Sequence, residues 1–135
     1  MMYQRFKSVL AIIFIWPLMV PFAQALSLGD ITLNSALNEP LDAEIAVYST
    51  DSGEILNAYI ELASFEVHKN AGMNLNNMPN KVTFKAVHKQ DGNFVIQLKT
   101  RKPVREPVLE FILEVSGNSG YLRREYAVHL DPPKL

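Results

Sequence analysis

The sequence predicts an all-β fold, an immunoglobulin-like β-sandwich of about seven strands with one short helix, preceded by a signal peptide. Two observations predict it, and a third bounds how it is held together. Short segments in which apolar and polar residues alternate with period two recur through residues 26–135. Turn-forming residues interrupt those segments every ten residues or so. The 135 residues include no cysteine, so an exported domain of this size must hold itself together by packing alone.

The first residues stand apart from that pattern. Arg5 and Lys7 give a short positive start, Val9 to Phe22 is almost wholly apolar, and Ala23-Gln24-Ala25 supplies the small–x–small sites of signal peptidase. The apolar run of 14 residues falls short of the roughly 20 needed to span a bilayer, and it holds Pro17 and Pro21. Cleavage is expected after Ala25, making residues 1–25 a signal peptide and residues 26–135 one domain. No cysteine stands at the cleavage point to take a lipid, so a periplasmic protein with no membrane anchor is expected. Residues 26–135 carry fourteen acidic and eleven basic side chains, a net charge of −3. That balance argues against nucleic-acid binding, which runs on phosphate neutralisation.

Along the domain, Ile31 and Leu33 open a first strand. LDAEIAVY follows, with Leu41, Ala43, Ile45 and Val47 on its apolar face. LNAYIEL puts Leu56, Ala58, Ile60 and Leu62 in phase. Ser64 to Gly72 is the helix candidate, with Ser64 as N-cap, Gly72 just past the end, and Phe65 with Val67 or His68 facing the sandwich. KVTFKAV turns Val82, Phe84 and Ala86 inward, and Asp91-Gly92 is a strong hairpin signal leading to Phe94, Ile96 and Leu98. PVLEFILEV and YLRREYAVHL complete the set with Leu109, Phe111, Leu113 and Val115, then Leu122, Tyr126, Val128 and Leu130. The closing DPP cannot continue a ladder.

Nothing in the chain reads as catalytic, and no cofactor or metal is expected. His68, His88 and His129 are 20 and 41 residues apart, a spacing that matches no local metal motif, and they read as surface or rim residues. Gly-x-Ser-x-Gly elbows and Gly-rich phosphate loops are missing from the sequence. Glu110 and Glu114 share one face of one strand, but a rise of about 3.3 Å per residue sets them about 13 Å apart, beyond glycosidase spacing. Lys99, Arg101, Lys102 and Arg105 form the densest charge run, read as a solvated connection partly neutralised by Glu106, with an anionic polymer as the other possibility. Arg123 and Arg124 alternate faces, so one of them points inward and can pair with a carboxylate.

Three blocks, LGDITLNSALNEPLDAEI, KPVREPVLEFILEV and LRREYAVHLDPP, together resemble the N-terminal domain of the FimV/HubP/TspA family from Leu28 to Pro133. Ala127 stands where that family often has Thr. The resemblance implies a periplasmic module of proteins that support type IV pilus assembly, twitching motility and the polar placement of other proteins. Family members usually continue into a peptidoglycan-binding module, a membrane span and a cytoplasmic region. This sequence ends at Leu135, so the roles of those further modules are not expected of it.

The reading that results is a non-enzymatic, exported interaction module that engages an envelope protein. Direct binding of peptidoglycan or another glycan, with Tyr48 and Tyr59 as stacking platforms, is the alternative. Asn38-Glu39-Pro40 and Arg105-Glu106-Pro107 read as strand-entry corners, because proline fixes its own φ and holds the preceding residue extended. The first strand, Asp30 to Asn34, and the last, Tyr121 to Leu130, are the candidate edges for strand addition by a partner.

Overall fold

The computed structural model describes residues 26–49, 53–75, 78, 81–118 and 120–133. The expected signal peptide lies outside the described residues. Seven strands form two antiparallel sheets: β1 (Ser27–Leu33), β2 (Pro40–Tyr48), β3 (Tyr59–Leu62), β4 (Val82–His88), β5 (Phe94–Pro103), β6 (Val108–Gly117) and β7 (Gly120–His129). One sheet runs β1-β2-β5-β4 and the other β3-β6-β7. Lettered A to G, these are the ABED and CFG sheets of a constant-type immunoglobulin domain.

Alternation decides what each strand buries. Ala43 and Ile45 of β2, Ile96 and Leu98 of β5, and Leu109, Phe111, Leu113 and Val115 of β6 are fully enclosed between the sheets. Phe111 stacks on Tyr126 of β7, with centroids 5.5 Å apart. Among the described residues the core is drawn from Leu26 to Leu130. Among the described residues no helix is long and apolar enough to cross a membrane.

The expected turns form as the sequence indicates. At the β4–β5 hairpin Gly92 takes φ +89°, and the Asn93 N–H donates to the Asp91 carboxylate at 2.9 Å. Helix α1 (Phe65–Asn70) begins at Ser64, whose hydroxyl accepts the Val67 N–H, and is followed by Gly72 at φ +76°.

Two expectations fail. LNAYIEL does not run as one strand, because Ile55–Asn57 forms a 3-10 turn that buries Ile55 and leaves Leu56 51% exposed. The tighter turn breaks the alternation that would have put Leu56 inward. On α1 Phe65 faces solvent, and His68 is the buried residue.

Where a ladder is interrupted, a side chain takes the place of the missing backbone group. The β2–β5 register shifts between Pro40 and Asp42, and there the Thr100 hydroxyl accepts the Leu41 N–H at 2.8 Å. Pairing of β3 with β6 ends at Leu62 opposite Leu113. One residue further, Ala63 N–H still donates to the Ile112 carbonyl, but the Ile112 N–H donates to His68 Nε2 at 2.9 Å. His68 Nδ1 lies 2.9 Å from the Ser64 carbonyl, which can only accept, so the ring proton sits on Nδ1 and Nε2 is free to accept. His68 is thus neither a surface nor a rim histidine. It is fully buried and continues the sheet where β3 leaves it.

Candidate interaction surfaces

The three blocks singled out in the sequence meet at one end of the sandwich. Asn38 N–H donates to the Val104 carbonyl at 2.8 Å, and Val104 N–H returns a bond to Glu39 at 3.0 Å. Leu37 N–H reaches the Asp131 carbonyl, and Leu130 N–H the Pro107 carbonyl, each at 2.8 Å. Within the corner, Glu39 accepts the Ala36 N–H and the Ser35 hydroxyl accepts the Asp42 N–H. Asn38 takes φ +66°, a left-handed conformation that asparagine tolerates better than most side chains. The two x-Glu-Pro elements are therefore strand-entry corners, joined through Val104, which exchanges backbone bonds with Asn38 and Glu39.

The opposite end is chemically different. Four of the large apolar side chains that remain exposed lie there: Tyr48 at the end of β2, Leu56 in the 3-10 turn, Tyr59 at the start of β3 and Tyr121 near the start of β7. Register sets Tyr59 opposite Ser116 and Ser116 opposite Tyr121, so both rings stand on the outer face of one sheet with a small residue between them. At two strand spacings their Cβ atoms are about 10 Å apart. Tyr59 is 82% exposed and Tyr121 53%.

Tyr121 is held in place. Arg123 donates from Nε to its hydroxyl at 3.1 Å, lies 5.7 Å over its ring, and forms an ion pair of 2.8 Å with Glu114. The hydrogen bond from the Tyr121 hydroxyl, then the Arg123 guanidinium, keeps the Glu114 carboxyl below its usual range. The same bond to Glu114 raises the Tyr121 hydroxyl. Tyr48 sits on the other sheet, its ring over Gly29, where an added Cβ would come 2.7 Å from Cε2. The structure does not bring Tyr48 and Tyr59 onto one face. Tyr59's companion is Tyr121, whose outward phase beside Leu122 was visible in the sequence.

The candidate strand-addition edges need correction. Both β1 and β7 are end strands of their sheets, but they face each other across a seam. Arg124 donates to the Leu28 carbonyl and pairs with Asp30 at 3.3 Å, while the Tyr126 hydroxyl donates to the Gly29 carbonyl at 2.9 Å. Side chains of β7 thus occupy the Leu28 and Gly29 carbonyls near the start of β1, just before the stretch Asp30 to Asn34. Arg124 is the arginine of the pair in the inward phase, and it meets a carboxylate as expected. Edge strand β4 carries Lys85, with Lys81 and Lys89 at its ends, a charge pattern that blunts edges.

The histidines do not converge, and no group of His, Cys, Asp or Glu among the described residues could hold a metal ion. A depression of about 170 Å³ beside Tyr48, lined by Ala46, Lys89, Asn93 and Phe94, is below the roughly 300–1,000 Å³ of ligand pockets. Lys99, Arg101, Lys102 and Arg105 are all exposed, along and just beyond β5.

Residues 26–133 match the family described as FimV N-terminal domain Ig-like domain. The chain belongs to that family. It is 45% identical over 114 residues to the "Motility hub protein FimV" of Pseudomonas aeruginosa strain PAO1, and equally to that of strain UCBPP-PA14. The alignment takes in 82% of this chain but only 12% of either relative, so the chain spans a small part of their length. No solved structure matches. The family assignment agrees with the two-sheet architecture, and the matched span takes in all three blocks that form the hydrogen-bonded end.

Proposed function

We propose that this FimV N-terminal domain is a non-enzymatic interaction module of the pilus and motility machinery, exported to the periplasm after loss of residues 1–25. It engages an envelope protein through the end of the sandwich that carries Tyr59 and Tyr121. The observation that carries this reading is the division of labour between the two ends. One end ties the family blocks together, whereas the other exposes large aromatic rings, one of them fixed by Arg123 and Glu114. Exposed tyrosines on a rigid sheet are the type of anchor that dominates protein–protein contacts.

The test is photo-crosslinking in living cells with a probe residue placed at Tyr59, at Tyr121, or at Thr83 on the other sheet. A discrete adduct at the two tyrosine positions and none at Thr83 supports the assignment. Equal labelling at all three removes it.

The paired rings flanking Ser116 also favour a second reading, in which the same surface stacks on sugar rings of peptidoglycan. Co-sedimentation of residues 26–135 with purified sacculi separates the two. Pelleting that Tyr59→Ala abolishes assigns the surface to glycan, and retention in the supernatant leaves the protein partner.

A further inference from the structure

On the outer face of the β3-β6-β7 sheet, both margins place a tyrosine two residues from a charged side chain. On β7 the pair is Tyr121 and Arg123, and on β3 it is Tyr59 and Glu61. In each pair the residues lie about 7 Å apart along the strand. Register aligns the margins: Tyr59, Ser116 and Tyr121 form one row across the sheet, and Glu61, Glu114 and Arg123 form the next.

The β7 margin is complete. Arg123 gives Glu114 two hydrogen bonds, 3.1 Å from Nε and 2.8 Å from Nη2, and its guanidinium lies 5.7 Å over the Tyr121 ring. A carboxylate and an aromatic face thus share one cation. The β3 margin has the same two parts without the cation. Tyr59 is 82% exposed, and nothing among the described residues stacks on its ring. Glu61 is exposed too, and among the described residues it holds no ion pair. Glu114 stands directly opposite Glu61 and is already bonded to Arg123, so the row has two carboxylates and one cation. Like charges directly opposite on neighbouring strands destabilise a sheet, so Glu61 works against the sheet that carries it.

We propose that the envelope partner completes this margin with an arginine, whose guanidinium lies on the Tyr59 ring and pairs with the Glu61 carboxylate. The proposal rests on the reading that a protein docks at the tyrosine end, and it names the chemistry that protein brings. Arginine fits better than lysine because its planar fork pairs with a carboxylate while stacking on a ring, as Arg123 does on β7. The neighbouring Arg123 does not repel it, since that charge is matched by Glu114 at 2.8 Å. Many exposed glutamates do no more than keep a surface in water. A lysine at position 61 would serve that role equally and would also relieve the opposition to Glu114.

Photo-crosslinking in living cells with the probe at Tyr121, which leaves Tyr59 and Glu61 in place, reads the contact. Glu61→Lys should cut the discrete adduct about tenfold or more, and Glu61→Gln about two- to fivefold. Glu110→Lys, at an exposed position farther along the same face, should leave it unchanged. The purified Glu61→Lys protein should melt no lower than wild type, because two carboxylates no longer stand opposite each other. The adduct identifies the partner, and reversal of the partner's arginine to glutamate should restore crosslinking to Glu61→Lys. An adduct that survives Glu61→Lys, or that Glu110→Lys removes equally, overturns the arginine contact while the tyrosine assignment stands. So does a Glu61→Lys protein that melts several degrees lower, which makes the glutamate part of the fold. A partner in which no arginine reversal restores crosslinking overturns it as well. Absence of any adduct with Glu61 intact removes the docking reading, and the arginine contact with it.

Discussion

Replacing His68 by phenylalanine tests whether an imidazole completes the β6 ladder. The ring volume is nearly kept, so the loss comes from hydrogen bonding rather than from a cavity. Ile112 is 1% exposed, and its N–H has His68 Nε2 as acceptor at 2.9 Å. Orphaning a buried N–H costs about 1–3 kcal/mol, and the lost Nδ1 bond to Ser64 adds about 1 kcal/mol. The Ser64 carbonyl keeps the helical His68 N–H, so it is not orphaned. The expected total is about 3 kcal/mol, which in a domain of this size lowers Tm by roughly 12 °C. Thermal and urea unfolding of residues 26–135 measure it, and hydrogen exchange at the Ile112 amide localises it. His68→Gln, which retains an acceptor, should lose less. A His68→Phe variant within about 0.5 kcal/mol of wild type, or one whose Ile112 amide stays protected, would refute the argument.

Four further outcomes are expected. Thr100→Val removes the acceptor of the buried Leu41 N–H and should lower unfolding free energy by about 1–3 kcal/mol in urea melts. Asn38→Ala forces a Cβ-bearing residue without a helpful side chain to hold φ +66° and should cost about 1 kcal/mol, whereas Asn38→Gly should melt within a few degrees of wild type. Burial pushes the Tyr126 hydroxyl up to about 12, with Arg124 opposing and Asp30 adding. The folded state holds that proton more tightly than the unfolded chain. Stability from this source is therefore complete below about pH 10, where an unfolded tyrosine titrates, and lost as pH rises through about 12. Tyr126→Phe should flatten that part of the alkaline unfolding curve. Gly29→Ala should displace the exposed Tyr48 ring, read as a change at Tyr48 in NMR spectra with only a small shift in Tm.

The parts of this fold that were legible in the sequence are those fixed by neighbours along the chain. Alternation in β2, β5 and β6 named the core residues, and Asp91-Gly92, Ser64 and Gly72 marked a turn and both ends of a helix. The parts that were not legible depend on what a distant strand leaves undone. His68 is polar on a short helix, and its burial follows only from β3 ending at Leu62 while β6 runs on. Thr100 looks like an ordinary strand residue until the register shift near Pro40 exposes the Leu41 N–H to it. Leu56 fitted the alternation, and a single 3-10 turn set it on the surface. Tyr59 was read as exposed, but its pairing with Tyr121 across Ser116 required the register of two ladders. The β1 and β7 edges were recognisable as chain ends of a sandwich, while the seam between them came from Arg124 and Tyr126 reaching across.

That seam also sets how the domain would answer to being pulled. β1 and β7 run in the same direction, so Leu26 and Pro133 lie toward opposite ends of the sandwich. Tension applied between them loads the two strands in shear. Among the described residues few polar contacts bridge them: Arg124 to Leu28 and Asp30, Tyr126 to Gly29 and, at the far end, Leu37 to Asp131. A full backbone ladder in that position would share the load among many bonds stretched at once. Here a few contacts carry it, most of them through side chains, so tension along the chain is expected to act first at this seam.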